Sequence, residues 1–353
     1  QFGEVGAGIQ LGPNATRVLA GWDLEPALRR VASFPSQLRV RSAESGAELG
    51  RLALGELDGR YGSPYATVHR ADLHGLLLRE SHVDLKAASA VHGVAALEDA
   101  VTARVGEGPA IECDALIGAD GLWSVVRRSV WGDGPPHATG HVAYRALAVQ
   151  SALPEAIRSV AVTAWLGPHM HVVAYPVRAG ELLNVVAIVD RGTRPMSAGW
   201  DEPAVAANLH AAMGAMCAPL QDLVHAMPSW RLWTLHDRTP MRSADEMAKG
   251  RVALAGDAAH PMRPYFAQGG AMALEDAAEI GRCLAMADRA DIDVPLALRR
   301  YALNRWERCA KVQALSRRNG RIFHARGLVR IGRDVSMKLL GERLLDQPWL
   351  YRA

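Results

Sequence analysis

Residues 251–276, RVALAGDAAHPMRPYFAQGGAMALED, constrain the fold more than any other stretch of the chain. They open on the apolar run 252–255, the length of a buried strand. Gly256 and Asp257 follow at once, and then a loop punctuated by Pro261 and Pro264. The loop closes at Gly269 and Gly270, where a helix rich in Ala, Leu and Glu begins, clearest over 272–286. A strand end, a carboxylate, glycines and a helix N-terminus in this order suit a phosphorylated cofactor. The helix end offers N–H groups and a positive dipole to phosphate, and the carboxylate accepts hydrogen bonds from a sugar or polyol.

The pattern GD-A-x-H-x-x-x-P, met at Gly256, Asp257, His260 and Pro264, resembles the second flavin motif of class A flavoprotein monooxygenases. These are the single-component aromatic hydroxylases of the salicylate and 3-hydroxybenzoate 6-hydroxylase type. Other segments carry the resemblance in the family's order. GAGIQLG (6–12) has glycines spaced like a dinucleotide fingerprint, but only QFGEV precedes it and Pro13-Asn14 follows where a helix should be running. EVGAGIQLGPNA instead resembles the segment after the first βαβ unit of these hydroxylases, close to the flavin ring. The G-x-G-x-x-G fingerprint and its ribose-binding acid are then expected upstream of residue 1.

VHRADLHGLLL (68–78) sets Leu73, Leu76 and Leu77 on one helical stripe. It resembles the family's R-x-x-L-x-x-x-L segment, which gives Arg70 a contact with the cofactor. In ADGLWSVVR (119–127), Asp120-Gly121 follows a buried-strand run and precedes a helix with Ser124 and Arg127. A plain strand, turn and helix with Gly121 at a tight turn would read the same way. In its place between the other motifs it resembles the family's DG motif, near the cofactor's pyrophosphate and linked to nicotinamide use. The terminal LLDQPWLY resembles the end of the salicylate- and 3-hydroxybenzoate-type enzymes.

Between the DG and GD motifs the character changes. Four strand-like runs, 141–149, 159–166, 170–177 and 181–189, are separated by turn residues at Leu153-Pro154, Gly167-Pro168 and Ala179-Gly180. They predict an antiparallel sheet, with residues 203–227 helical after it. Strand alternation puts His171, Val173 and Tyr175 on one face, with His171 and Tyr175 about 13 Å apart along the backbone. One His and one Tyr on a strand are commonly core or edge residues. WLGPHMHVVAYP (165–176) resembles the strand of hydroxybenzoate hydroxylases from which a His and a Tyr reach the substrate phenol.

The resemblance implies an α/β fold: a doubly wound FAD-binding domain of the glutathione-reductase-like Rossmann type, an inserted antiparallel-sheet substrate domain and C-terminal helices. The expected division is 1–64 (FAD-binding, with a hairpin of the substrate domain over 38–54), 65–137 (FAD-binding), 138–240 (substrate domain, with a mixed or antiparallel sheet), 241–295 (FAD-binding, GD motif) and 296–353 (helical). It implies FAD, reduced by NADH or NADPH, with O2 as co-substrate, and hydroxylation of a small phenolic acid through a flavin C4a-hydroperoxide. His171 becomes the base, Tyr175 its orienting partner, and Gln268 a neighbour of substrate and flavin ring. Gly6, Ala7, Gly8, Arg70, Asp120, Gly121, Gly256, Asp257, Pro264, Gly269 and Gly270 become cofactor contacts, Asp257 at the ribityl chain. No metal is expected, and Arg145 is the candidate partner for a substrate carboxylate. An epoxidase or dehydrogenase on the same fold, a 6-hydroxynicotinate-type hydroxylase and a non-catalytic flavin protein stay open, since fold does not fix reaction.

Composition sets bounds on this reading. With 353 residues, 49% of them hydrophobic, the chain can bury a large core. Four cysteines without metal-like spacing predict free thiols in a reducing, cytoplasmic setting. No apolar run approaches the roughly 20 residues of a membrane span. A net charge of +3 is neutral on nucleic acid, and none is expected as a partner. Between 299 and 343, thirteen Lys/Arg stand against three acids, which predicts a solvated basic face and leaves open weak contact with membrane lipid. A monomer or a homodimer fits equally.

Overall fold

The computed structural model describes residues 7–192, 202–289 and 292–352. They form two compact units. One holds His82–His137 and His236–Arg318; the other holds the chain as far as Ser81, Ala138–Leu235 and the chain from Asn319 onward. The boundaries at 64/65 and 295/296 expected from sequence do not coincide with this division.

The second unit is built on an eight-stranded sheet. Its spatial order is Glu202–Ala204, Trp230–Asp237, His137–Val149, Leu182–Asp190, Met170–Val177, Val162–Gly167, Gln37–Ser42 and Glu48–Ala53. Strands 137–149, 182–190, 170–177 and 162–167 follow one another antiparallel, as their turn-separated runs predict. The hairpin of 38–54 forms too, over Gln37–Ser42 and Glu48–Ala53. It joins the larger sheet by a parallel pairing, Leu38 opposite Val162, so the sheet is mixed rather than purely antiparallel.

Alternation divides this sheet chemically. One face presents Val142, Tyr144, Ala146, Val172, Ala174, Val185 and Ala187 to the helices Ala206–Met213 and Ala218–His225, which supply Leu209, Leu220 and Leu223. Burying each large side chain here contributes about 1.5–3 kcal/mol, and a one-residue slip would turn the whole set outward. The opposite face takes the remaining positions, His171, Tyr175, Arg145 and Asn184 among them. The register sets Tyr175 against Asn184, His171 against Ile188, and Arg145 against Val186. The helical stretch expected over 203–227 is a short strand and two helices. Gly214 with φ +67° ends the first helix, and Pro219 stands in the first turn of the second.

In the same unit Gly8–Leu11 pairs antiparallel with Ala66–His69, and the helices Pro13–Gly21 and Arg70–Glu80 follow these two strands. Leu73 and Leu76 are buried on the stripe read from sequence. Helix Gly327–Leu340 lies near the C-terminus.

The first unit contains a three-stranded sheet in which Val252–Leu254 runs parallel to Leu116–Gly118. Gly118 is required there, because a Cβ would stand 2.8 Å from both Leu254 and Val126. A second, antiparallel sheet joins Val91–Ala96, Val101–Val105 and Ile111–Cys113. Helix Gly269–Asp288 follows the GD loop. The long helix Val294–Phe323 has its residues from Asn319 in the other unit. Tyr301 on it donates to the Leu254 carbonyl at 2.8 Å, fixing helix to strand. All four cysteines are free thiols. Among the described residues no helix is long and apolar enough to cross a membrane.

Candidate active site

In the first unit the GD loop is held by a carboxylate that sequence reading did not single out. Asp276 has no solvent exposure, and three nitrogen groups and the Cys309 thiol lie on its two oxygens. Gly256 N–H reaches its Oδ2 at 2.9 Å, His260 Nε2 lies 2.6 Å from the same oxygen, and Arg305 Nε donates to Oδ1 at 2.8 Å. Gly256 needs to be glycine, since its φ is +57°. Burial opposes the charge on His260, yet Cys309 and Asp276 beside it hold its pKa well above the ordinary histidine value. Burial likewise works against ionised Asp276, and His260 and Arg305 outweigh it, so the carboxyl stays below its usual range. His260, Asp276 and Cys309 are close enough to hold a metal ion. The Arg305 guanidinium already supplies the cation there.

Arg305 is an exception in the basic run 299–343, most of whose Lys and Arg are exposed. Only 6% of Arg305 is exposed. It pairs with Glu275 as well as Asp276, and Arg308 shares Glu275 at 2.7 Å. Arg317 pairs with Asp237, Arg299 with Asp245, and Arg330 with Glu44. The pairs of Arg305 and Arg308 are internal, while those of Arg299 and Arg330 lie at the surface.

The DG motif is tied to the same loop. Asp120 caps helix Val125–Trp131, accepting from Ser124 Oγ at 2.5 Å and from the N–H groups of Val125 and Val126 at 2.6 and 3.1 Å. Gly121, φ +77°, makes the turn. Arg127, buried, donates to the carbonyls of Ala258 and Ala259 at 3.2 and 2.8 Å. Its link to the GD loop is a second feature that sequence reading passed over.

Beyond that clamp the loop presents its polar groups. Asp257 is exposed just past the strand end, and Pro264 is exposed at the start of a short turn. Ala267 adopts a left-handed conformation, φ +51°, of the kind that clusters at functional sites. Gln268, 4% exposed, occupies the N-cap position of helix Gly269–Asp288. A Cβ on Gly269 would meet nothing within 4 Å, and its φ is ordinary, so nothing in the chain itself demands glycine there. A bound group lying against the helix N-terminus would demand it, and the first N–H groups of a helix lack intrahelical partners. These residues fit the flavin cofactor expected from sequence. Gly269→Ala is expected to leave the cofactor-free protein as stable or more so, by up to about 1 kcal/mol. The same change should weaken FAD binding about tenfold or more, since a methyl group would intrude on the bound cofactor. Thermal unfolding and a flavin-fluorescence titration check the two halves.

In the second unit, Ala7 accepts from the Arg70 N–H at 2.8 Å, and the Arg70 side chain is exposed. Gly6 lies outside the described residues. Gly8 is needed inside the chain: a Cβ there would stand 2.5 Å from the Tyr175 ring, and its N–H donates to Asn184 Oδ1 at 2.9 Å. Tyr175 is thus seated on the N-terminal strand. It hydrogen-bonds Gln10, which also receives Tyr65 O–H at 2.6 Å. Burial pushes the Tyr175 phenol up, against smaller opposing effects of Gln10 and Arg145. The Arg145 guanidinium, itself 7% exposed, lies 3.7 Å from the centre of the Trp233 ring.

His171 is 2% exposed, and its Nδ1 is 2.8 Å from His324 Nε2. Phe323 meets its ring edge-on, and His141 stacks on His324 with centroids 4.9 Å apart. Burial first, then His324 and His141, hold the His171 pKa well below the ordinary value. His171 and Tyr175 thus share one face of one strand, as alternation predicts, with Arg145 two strands away, across 182–190. Gln268 and the GD residues belong to the other unit. His324 and His141 were not legible as partners of His171, being far from it in sequence.

A GD loop clamped to the helix that follows it and a DG turn ahead of it suit a flavin-binding protein, and similarity to known proteins makes it a flavin-dependent monooxygenase. Residues 68–314 match the FAD binding domain family, and the chain belongs to that family as an FAD-dependent aromatic-ring monooxygenase. It is 36% identical over 333 residues to 3-hydroxybenzoate 6-hydroxylase 1 of Aquipseudomonas alcaligenes, covering 93% of this chain and 82% of the relative. It is equally 36% identical over 353 residues to a 3-amino-4-hydroxybenzoate 2-monooxygenase of Streptomyces platensis, covering 99% and 87%. A salicylate hydroxylase substrate complex superposes with a TM-score of 0.84 at 27% identity, over 98% of this chain and 88% of that one.

Proposed function

We propose that this monooxygenase hydroxylates a small phenolic carboxylic acid of the hydroxybenzoate type. The observation that carries the reading is the polar face of the sheet: a buried neutral imidazole at His171, a buried protonated phenol at Tyr175 and a buried cation at Arg145. When bound, FAD reduced by NADH or NADPH supplies the activated oxygen. His171 accepts the substrate's phenolic proton, which makes the ring more electron-rich at the carbon to be hydroxylated. Tyr175, still protonated at neutral pH, orients the substrate oxygen as a donor. Arg145, permanently charged and held by Trp233, pairs with the carboxylate. Burial of all three excludes water and strengthens each contact. In the other unit, Asp257 would hold the ribityl chain of FAD, the N–H groups at Gly269 and Gly270 would face the flavin, and Gln268 would contact its ring.

The test is NAD(P)H oxidation by the FAD-loaded protein with 3-hydroxybenzoate, salicylate, 3-amino-4-hydroxybenzoate and 6-hydroxynicotinate, with product scored directly. Stimulation together with a hydroxylated product from a benzoate is expected. FAD binding without stimulation by any phenol would overturn the substrate assignment.

A further inference from the structure

A neutral, buried histidine is well set to take a proton and badly set to keep one. His171 is enclosed between strands, facing Leu166 on one side and Ile188 on the other in the register. A charge formed there would lack water. The place where that charge can go is the imidazole 2.8 Å away.

His324 is carried by a different part of the chain, immediately after helix Val294–Phe323, and it is fixed from several directions. Its carbonyl accepts from the His169 N–H at 3.2 Å, and its N–H donates to the Gly320 carbonyl at 3.2 Å. Its ring is stacked by His141 at 4.9 Å with an interplanar angle of 21°. It therefore stands at a helix C-terminus, where the carbonyl dipoles favour positive charge. The groups around it are of both signs. Arg333 donates to the carbonyls of Ile322 and Phe323 at 3.1 and 2.8 Å, and Arg326 Nη1 lies 3.3 Å from His169 Nε2. Asp190 faces them from the next strand, opposite His141 in the register, with its Oδ2 3.3 Å from His169 Nδ1. Burial works against ionised Asp190, but the Gly192 N–H, His169 and His141 keep the carboxyl below its usual range, so an anion is present to balance a new cation. Asp190 and His169 are partly open to solvent, with side-chain exposures of 33% and 45%. Asp190 and His169 are thus the solvent-exposed members of the cluster, while His171 and His324 are buried.

We propose that His324 is the proton partner of His171, taking up the charge that the substrate's ionisation would otherwise leave buried. The proposal rests on the reading of His171 as the base. The substrate O–H bond breaks as an N–H bond forms at His171 Nε2, and the bonding pair stays on the phenolate oxygen. The His171 Nδ1–H bond breaks as an N–H bond forms at His324 Nε2. His171 ends neutral with its tautomer exchanged, His324 ends as imidazolium, and nothing is oxidised or reduced. The Nδ1 to Nε2 contact also fixes which nitrogen of His171 faces the substrate beforehand, so His324 is a positioning residue as well as an acceptor.

The test uses the FAD-loaded full chain with 3-hydroxybenzoate as the probe, following the phenol-to-phenolate absorbance change of the bound probe against pH. His324→Gln keeps a hydrogen-bonding group but cannot take a proton. It is expected to leave probe and FAD dissociation constants within about twofold, while raising the pH at which the bound phenol ionises by about one unit, a tenfold fall in the phenolate-to-phenol ratio at a given pH. A His324→Gln titration that superimposes on the unchanged protein, with His171→Ala displaced, overturns the proposal and leaves the base reading standing. If His171→Ala superimposes too, the base reading itself fails. If no hydroxybenzoate binds, the phenolic-acid reading falls and this proposal with it. Imidazole 15N spectra of the histidine-labelled, unsubstituted protein need no variant to fold: binding of the probe at neutral pH should convert one histidine to the doubly protonated form. Spectra unchanged on binding overturn the proposal.

Discussion

Asp276→Asn is expected to lower the stability of the protein by about 3–5 kcal/mol, the usual result of removing one member of a buried ion pair. The shape is kept, so the effect comes from charge: Arg305 and His260 lose their common anion, and the Gly256 N–H loses an ionised acceptor. Urea unfolding measures it, as a lower midpoint at an unchanged slope. A loss below about 1 kcal/mol would show that the cluster is not the clamp described. The pH dependence follows from the two shifts. Asp276 titrates lower in the folded chain than in the unfolded one, so its contribution is present above about pH 4 and lost as pH falls through the folded value. His260 titrates higher when folded, so its contribution is complete below about pH 6.5 and fades as pH rises through a value well above that. The cluster therefore stabilises most between about pH 4 and 6.5, and the Asn variant should lose that pH dependence. Because Gly256 opens the GD loop, FAD affinity should fall with stability.

His171→Gln is expected to reduce hydroxylated product by about 10²–10⁴-fold, the range of general base catalysis. NADH oxidation should fall far less than product, since the GD and DG motifs lie in the other unit and His171 contacts neither. Product formed per NADH consumed is the measurement, and a variant that keeps coupling and rate would remove His171 from the chemistry. Because burial holds this imidazole's pKa well below the ordinary value, its own protonation should not limit the rate until the pH is well below about 6.5. A rate that falls already between pH 7 and 6 would contradict the neutral base.

Local pattern made much of this chain readable. Period-two alternation in 141–149 and 170–177 predicts which residues share the polar face, because strand geometry needs no partner to be specified. The strand, loop and helix of 251–276 were legible for the same reason, each element announcing itself by length, glycines and propensity. What escaped were contacts chosen by the tertiary fold. Leu38 beside Val162 turns an antiparallel sheet into a mixed one, and nothing in either segment names the other. Asp276 reads as one acid among several in an ALED helix start, until Arg305 arrives from the next helix. His324 lies in a basic, helical context and meets His171 only through the fold. Gly269 is the converse: its glycine is explained by what the chain leaves open rather than by what it fills.

The sheet's division into two faces also bears on how such a catalyst can diversify. Ala143, Arg145, Val173 and Val186 lie on the functional side in the register, while the residues between them hold the apolar layer under the two helices. Ring size, charge and substituent pattern can be renegotiated by single exchanges on one side while the other keeps the scaffold folded. A combinatorial library confined to those four positions would explore new aromatic acids with little loss of foldable variants, and so offers a compact starting point for redesigning specificity.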